Sequence, residues 1–153
     1  MHDISSGGAQ SGFGAGTAAI TGQAVKGGTA VTLLRAVAVL CLLGTLSQGL
    51  TAGMFLNRDV NSIDAHQMSA FVVESLVIVQ LVLAILVWRR NRWLKWPLPG
   101  AIGILVFTYT QAALGVAGSV AAHVTLGVTL SAMEMAMVLR SFQLRAAGST
   151  TAA

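Results

Sequence analysis

Charge is what this sequence has least of. Asp, Glu, Lys and Arg make up only 9% of its 153 residues, whereas soluble domains carry roughly 25%, and 55% of the chain is hydrophobic. That balance excludes an ordinary soluble domain and identifies lipid as the solvent. Also missing is the alternation over segments of about ten residues that a spanning β-barrel requires. The remaining way to satisfy the backbone in lipid is the α-helix. Four unbroken apolar runs, at 36–56, 66–87, 98–118 and 120–139, reach the spanning length of roughly 20 residues. The expectation is an all-α, four-helix transmembrane bundle.

Cysteine is nearly absent. Cys41 stands alone in the first apolar run, which excludes an internal disulfide or a CxxC site and leaves a small packing residue. Large apolar side chains are few in 1–30, a stretch rich in Gly, Ser, Thr and Ala. Such a segment cannot bury enough surface to offset the entropy of ordering it. Residues 1–30 and 142–153 are therefore expected as flexible tails around a domain at 31–141. The start lacks the basic beginning and early apolar core of a signal peptide, so the first run is expected to be retained as a helix.

The net charge of +4 invites a nucleic-acid reading, and the placement of the charges argues against it. Lys26 and Arg35 precede the first run; Arg89, Arg90, Arg92 and Lys95 fill the second connection; Arg140 and Arg145 follow the fourth run. By the positive-inside rule all of these mark the cytoplasmic side. The expectation is a multi-pass protein of the bacterial cytoplasmic membrane with both termini inside, and with the loops at 57–65 and around Ser119 outside. The basic residues then serve topology and lipid headgroups, and Trp88, Trp93 and Trp96 serve as interface anchors.

An internal repeat is visible on close reading. The segment TLSQGLTAG (45–53) matches TYTQAALGVAG (108–118), with Gln48 set on Gln111, Thr45 on Thr108 and Ser47 on Thr110. The second and fourth runs both open near an Ala-His pair, Ala65-His66 and Ala122-His123. Two copies of one hairpin would be related by an axis along the membrane normal, as parallel transporter repeats are. Both histidines then lie at one depth near the outer surface. Gln48 and Gln111 follow about 10 to 12 Å from the outer helix ends. The small residues after each glutamine allow close helix approach, or leave room for something flat.

Histidine is also scarce, with three in the chain: His2, His66 and His123. A single histidine at a helix mouth is ordinarily an interface or hydrogen-bonding residue. A symmetric pair facing across a bundle is instead the arrangement for bis-histidine ligation of one haem iron. Zinc or copper would need further ligands that the chain does not supply. The expected cofactor is one haem b per chain.

The segment TQAALGVAGSVAAHVTLGVTL (110–130) resembles the third and fourth helices of one half of haem A synthase. The likeness lies in a Gln-x-x-Leu-Gly near the outer end, a short loop, and a ligand histidine opening the next helix. It extends over about 36–140 and is best over 108–130. The resemblance implies that this chain corresponds to a single half, that His66 and His123 are axial haem ligands, and that Gln111 and Gly115, with Gln48 by the repeat, belong to the haem pocket. It also makes a homodimer the way to recover a two-half architecture. The departures count against synthase catalysis. Where that family carries a carboxylate three residues before the second-helix histidine and an Arg after it, this chain has Ile63 and Gln67, and the outer-loop cysteine pair of many synthases is absent.

Glu74 and Glu134 fall inside apolar runs, where an ionisable group is costly enough to suggest function. Helical spacing sets Glu74 about 80° round from His66, and Glu134 about 20° round from His123, so both can face the bundle interior. They are read either as a proton path or quinol-binding acid coupled to haem redox change, or as neutral acids hydrogen-bonded to a neighbouring helix, with Gln80 as a partner for Glu74. Arg58, the one cation of the outer loop, is read as a partner for a haem propionate or as a solvated charge. The methionines are read as packing residues rather than ligands. The functional expectation is a b-type haem protein for electron transfer or haem handling with a quinone or respiratory-chain partner. The alternatives are a cofactor-free accessory subunit of a larger complex and a small proton-relay protein.

Overall fold

A computed structural model describes residues 23–59 and 61–146, with the side chain of Ala146 not described. Four helices dominate: α1 (Gly28–Leu56), α2 (Ser62–Arg90), α3 (Pro97–Val116) and α4 (Val120–Phe142). Each is long and apolar enough to cross a membrane. The expected all-α bundle is the observed fold, and the protein is a multi-pass membrane protein. Each helix packs along two neighbours in the ring α1–α2–α3–α4, so α1 lies diagonally opposite α3.

The boundaries differ from expectation for physical reasons. α1 starts at Gly28 rather than at 36, because the break falls at Gly27, whose φ of 86° is left-handed and open to glycine at little cost. Arg35 is thereby inside the helix instead of before it. Its guanidinium is held by donating to the carbonyls of Ser141 (3.0 Å) and Leu144, at the end of α4 where carbonyls lack helical partners. α2 extends to both sides, 62–90, and is 29 residues long, about 43 Å, so its ends project beyond a hydrocarbon core of roughly 30 Å. α3 stops at Val116, with Gly118 at φ 73° making the turn into α4.

The tails also need correction. Gln23–Val25 (β1) and Leu144–Ala146 (β2) pair as a two-stranded parallel ribbon, instead of belonging to flexible segments. The buried side chain of Asn91 reinforces it: Asn91 Oδ1 accepts from the Lys26 amide at 2.7 Å, and its Nδ2 donates to the Lys26 carbonyl at 3.0 Å. The rest of the expected tails, 1–22 and 147–153, lies outside the described residues, and His2 with it.

The repeat extends into the packing. The shift that carries Thr45 onto Thr108 also carries Ala38 onto Ala101 and Cys41 onto Ile104, and all six are buried. The shift that carries His66 onto His123 carries Val73, Val77, Gln80 and Ala84 onto Leu130, Glu134, Met137 and Ser141, again all buried. The two hairpins therefore bury the same faces. Within the first, Gly44 permits unusually close approach: a Cβ there would stand 2.7 Å from Val73 Cγ2.

Candidate functional site

His66 is in the first turns of α2 and His123 in the first turn of α4, at the same end of the bundle. Their ring centres are 6.1 Å apart, with planes at 64°. Each ring is anchored through Nδ1 on the helix that precedes it in the chain. His123 Nδ1 lies 2.8 Å from the carbonyl oxygen of Gln111. A carbonyl can only accept, so Nδ1 carries the proton. His66 Nδ1 lies 2.9 Å from Thr51 Oγ1. That hydroxyl donates its own proton to the carbonyls of Ser47 and Gln48, at 3.2 and 3.1 Å, which leaves it a lone pair for the imidazole. With Nδ1 of each ring engaged in this way, Nε2 is the nitrogen left for a ligand, and a neutral imidazole binds a metal through such a nitrogen.

The histidines line a cavity of about 540 Å³ shared by all four helices, together with Gln48, Gln111, Gly115 and Glu74. This is well within the range of ligand pockets, roughly 300–1,000 Å³. Glycine at 115 has a definite reason: a Cβ there would stand 3.0 Å from His123 Nδ1, inside the space the ring needs for its bond to Gln111. Gly127 does the same for the Gln111 side chain, whose Nε2 would be 2.9 Å from an added Cβ. The Gln48 amide donates to Ser69 Oγ, and Thr45, buried on the cavity wall, has an Oγ1 without a partner among the described residues. Gly49 and Gly53, by contrast, have open space beside them and create no close helix contact.

Arg58 is not brought to this site. It is exposed in the α1–α2 loop at φ 70° and does not line the cavity. Of the two membrane carboxylates, Glu74 is half-buried and faces the cavity, whereas Glu134 lies about 16 Å further along α4 than His123 and is 0% exposed. The expected pairing of Gln80 with Glu74 is corrected: Gln80 Nε2 donates to Glu134 Oε2 at 3.2 Å, across the bundle from α2 to α4. Helix rotation decides this, because Gln80 shares the buried face of Val73 and Val77 while Glu74 sits beside it at the edge. Met133 and Met137 bring their terminal methyl groups against Gly103 and Gly100, and among the described residues no methionine lines the larger cavity.

Replacing Gln80 by Leu should destabilise the bundle by about 1–3 kcal/mol, since it leaves a buried acid without its partner. Converting both Gln80 and Glu134 to Leu should recover most of that loss. Thermal unfolding in detergent, followed by circular dichroism, measures both variants. Equal midpoints for the single and double variants would remove the pairing from the account.

Sequence reading missed Thr51 and Ser69, the residues that hold His66 and Gln48. The available signal was spacing: Thr51 follows Gln48, and Ser69 follows His66, by one near-turn, which sets each on the same helix face. Among the described residues, no group of three or more His, Cys, Asp or Glu side chains converges as a metal cluster. No protein-family model, curated protein or solved structure matches the chain.

Proposed function

We propose that this chain is a membrane b-type haem protein with His66 and His123 as axial ligands, serving electron transfer or haem handling in the bacterial cytoplasmic membrane, with both termini inside. The observation that carries the reading is the ring separation. Metal–imidazole bonds of about 2.0–2.1 Å, and about 1.1 Å from nitrogen to ring centre in a five-membered ring with bonds near 1.33 Å, require centres roughly 6.3 Å apart across one iron. The observed 6.1 Å is close to that separation, and the engagement of Nδ1 in each ring is compatible with ligation through Nε2.

A bound haem would supply a one-electron couple whose potential the surrounding protein sets. The protein's own part is to orient. The Gln111 carbonyl and the Thr51 hydroxyl hold the imidazoles by Nδ1 and raise their basicity as ligands, Gly115 leaves room for the His123 ring, and buried apolar side chains such as Val73 and Leu130 wall the site. A relation to one half of haem A synthase belongs to the same proposal and rests on the sequence pattern alone. So do dimerisation and a quinone or respiratory-chain partner.

The visible absorption spectrum of the detergent-purified protein, oxidised and then dithionite-reduced, tests the reading. A sharp Soret band with a split pair of reduced bands at one haem per chain is the expected result. A colourless protein that stays colourless after haem is added back would overturn it in favour of a cofactor-free accessory subunit.

A further inference from the structure

A second, smaller cavity of about 190 Å³ opens between α3 and α4 at the opposite end of the bundle from the histidines. Its walls are Gly100, Ile104, Met133 and Met137, and Trp96 and Arg140 stand at its mouth. The Arg140 guanidinium is 5.9 Å from the Trp96 ring, and the residue is exposed. This end of the molecule is electrostatically one-sided. It carries every Lys and Arg of the chain except Arg58, while among the described residues Asp59 and Asp64 are at the far end, Glu74 faces the histidine cavity, and Glu134 is paired with Gln80 in the core. The start of α3 adds to the field, with no acidic residue in its first turn and no side-chain cap, so its partial positive charge is uncompensated.

The internal repeat supplies a built-in comparison. The position matching Gly100 in the first hairpin is Val37, and those matching Met133 and Arg140 are Leu76 and Leu83. Val37 and Leu76 pack against the core, and Leu83 is buried within it. The first hairpin therefore fills the space that the second leaves open, and it has no cation there.

We infer that the α3–α4 groove is a binding site for an anionic phospholipid, with one acyl chain along Gly100 and Met137 and the phosphate at Arg140 beside the start of α3. Basic pockets between membrane helices hold anionic headgroups in this way. The apolar groove is lined by the same residues that reach its charged mouth, and the headgroup provides a negative charge that the described residues of this end lack. The site is separate from the histidine cavity and does not rest on haem binding.

Native mass spectrometry of the detergent-purified full chain, titrated with phosphatidylglycerol or phosphatidylcholine, tests the assignment. Wild type should retain one phosphatidylglycerol in preference to phosphatidylcholine. Arg140→Gln should weaken that lipid about fivefold, the factor corresponding to roughly 1 kcal/mol per basic residue. Gly100→Val, which installs the first hairpin's residue, should displace both lipids by filling a groove that Gly100 lines, and the fold should tolerate it because the added Cβ meets only the flexible end of Met137 at 3.1 Å. Arg89→Gln, on α2 and away from the groove, should leave retention unchanged. Equal retention in wild type and Arg140→Gln, or equal losses in Arg140→Gln and Arg89→Gln, would overturn the site. Should Gly100→Val not fold, the two arginine variants, both altered only at exposed side chains, still decide the question.

Discussion

Alanine at either His66 or His123 is expected to abolish stoichiometric haem binding, with loss of the split reduced bands. The expectation is all-or-none because the cavity offers no substitute among the described residues: no methionine or cysteine lines it, and its remaining side chains are amides, hydroxyls, one carboxylate and hydrocarbon. The fold should survive. Each ring is half-buried and makes one side-chain hydrogen bond, and the net contribution of such a bond is about 1 kcal/mol. Haem content per chain, measured after haem is supplied in excess to folded variants, is the deciding quantity. Full haem content in both alanine variants would sink the ligand assignment and leave the rings as an ordinary hydrogen-bonded pair.

Gly44→Val should be among the most damaging single changes to the bundle itself. The first β-carbon would stand 2.7 Å from Val73 Cγ2, a distance real contacts do not reach, and Val73 is buried in the core. α1 and α2 must then move apart, at a cost of about 1–3 kcal/mol for overpacking. Because Thr45 and Gln48 on α1 and His66 and Glu74 on α2 line the same cavity, the separation should also disturb the site. Val73→Ala, introduced together with Gly44→Ala, removes the clashing methyl group and should restore most of the stability. Thermal midpoints of the single and paired variants measure the coupling, and a Gly44→Val protein as stable as wild type would show that the interface has slack.

The helices could be read from composition because lipid imposes one demand on every span: apolar side chains outside and backbone hydrogen bonds inside. The repeat was legible in the Thr-x-x-Gln pattern and the two Ala-His pairs because a duplicated hairpin must bury equivalent faces, as Ala38 and Ala101 or Val73 and Leu130 do. Arg35 was harder. A lone arginine at the edge of an apolar run looks like a boundary, and only the carbonyls at the end of α4 explain why α1 continues through it. The ribbon of β1 and β2 was illegible for a related reason: its two strands are separated by the whole bundle in sequence and joined by pairing, with Asn91 holding the chain at Lys26 beside β1.

By itself the sequence determined the environment, the number of spans and the equivalence of the two hairpins, since each follows from side-chain polarity and local spacing. It also singled out His66 and His123, through their position in the repeat. The distance between them, the Nδ1 anchors on Thr51 and Gln111, and the choice of Glu134 over Glu74 as partner for Gln80 were decided by tertiary structure alone. These depend on how far each helix is rotated about its axis against its neighbours. That rotation is set by close contacts such as Gly44 with Val73, between residues that periodicity can assign to a face but cannot bring together.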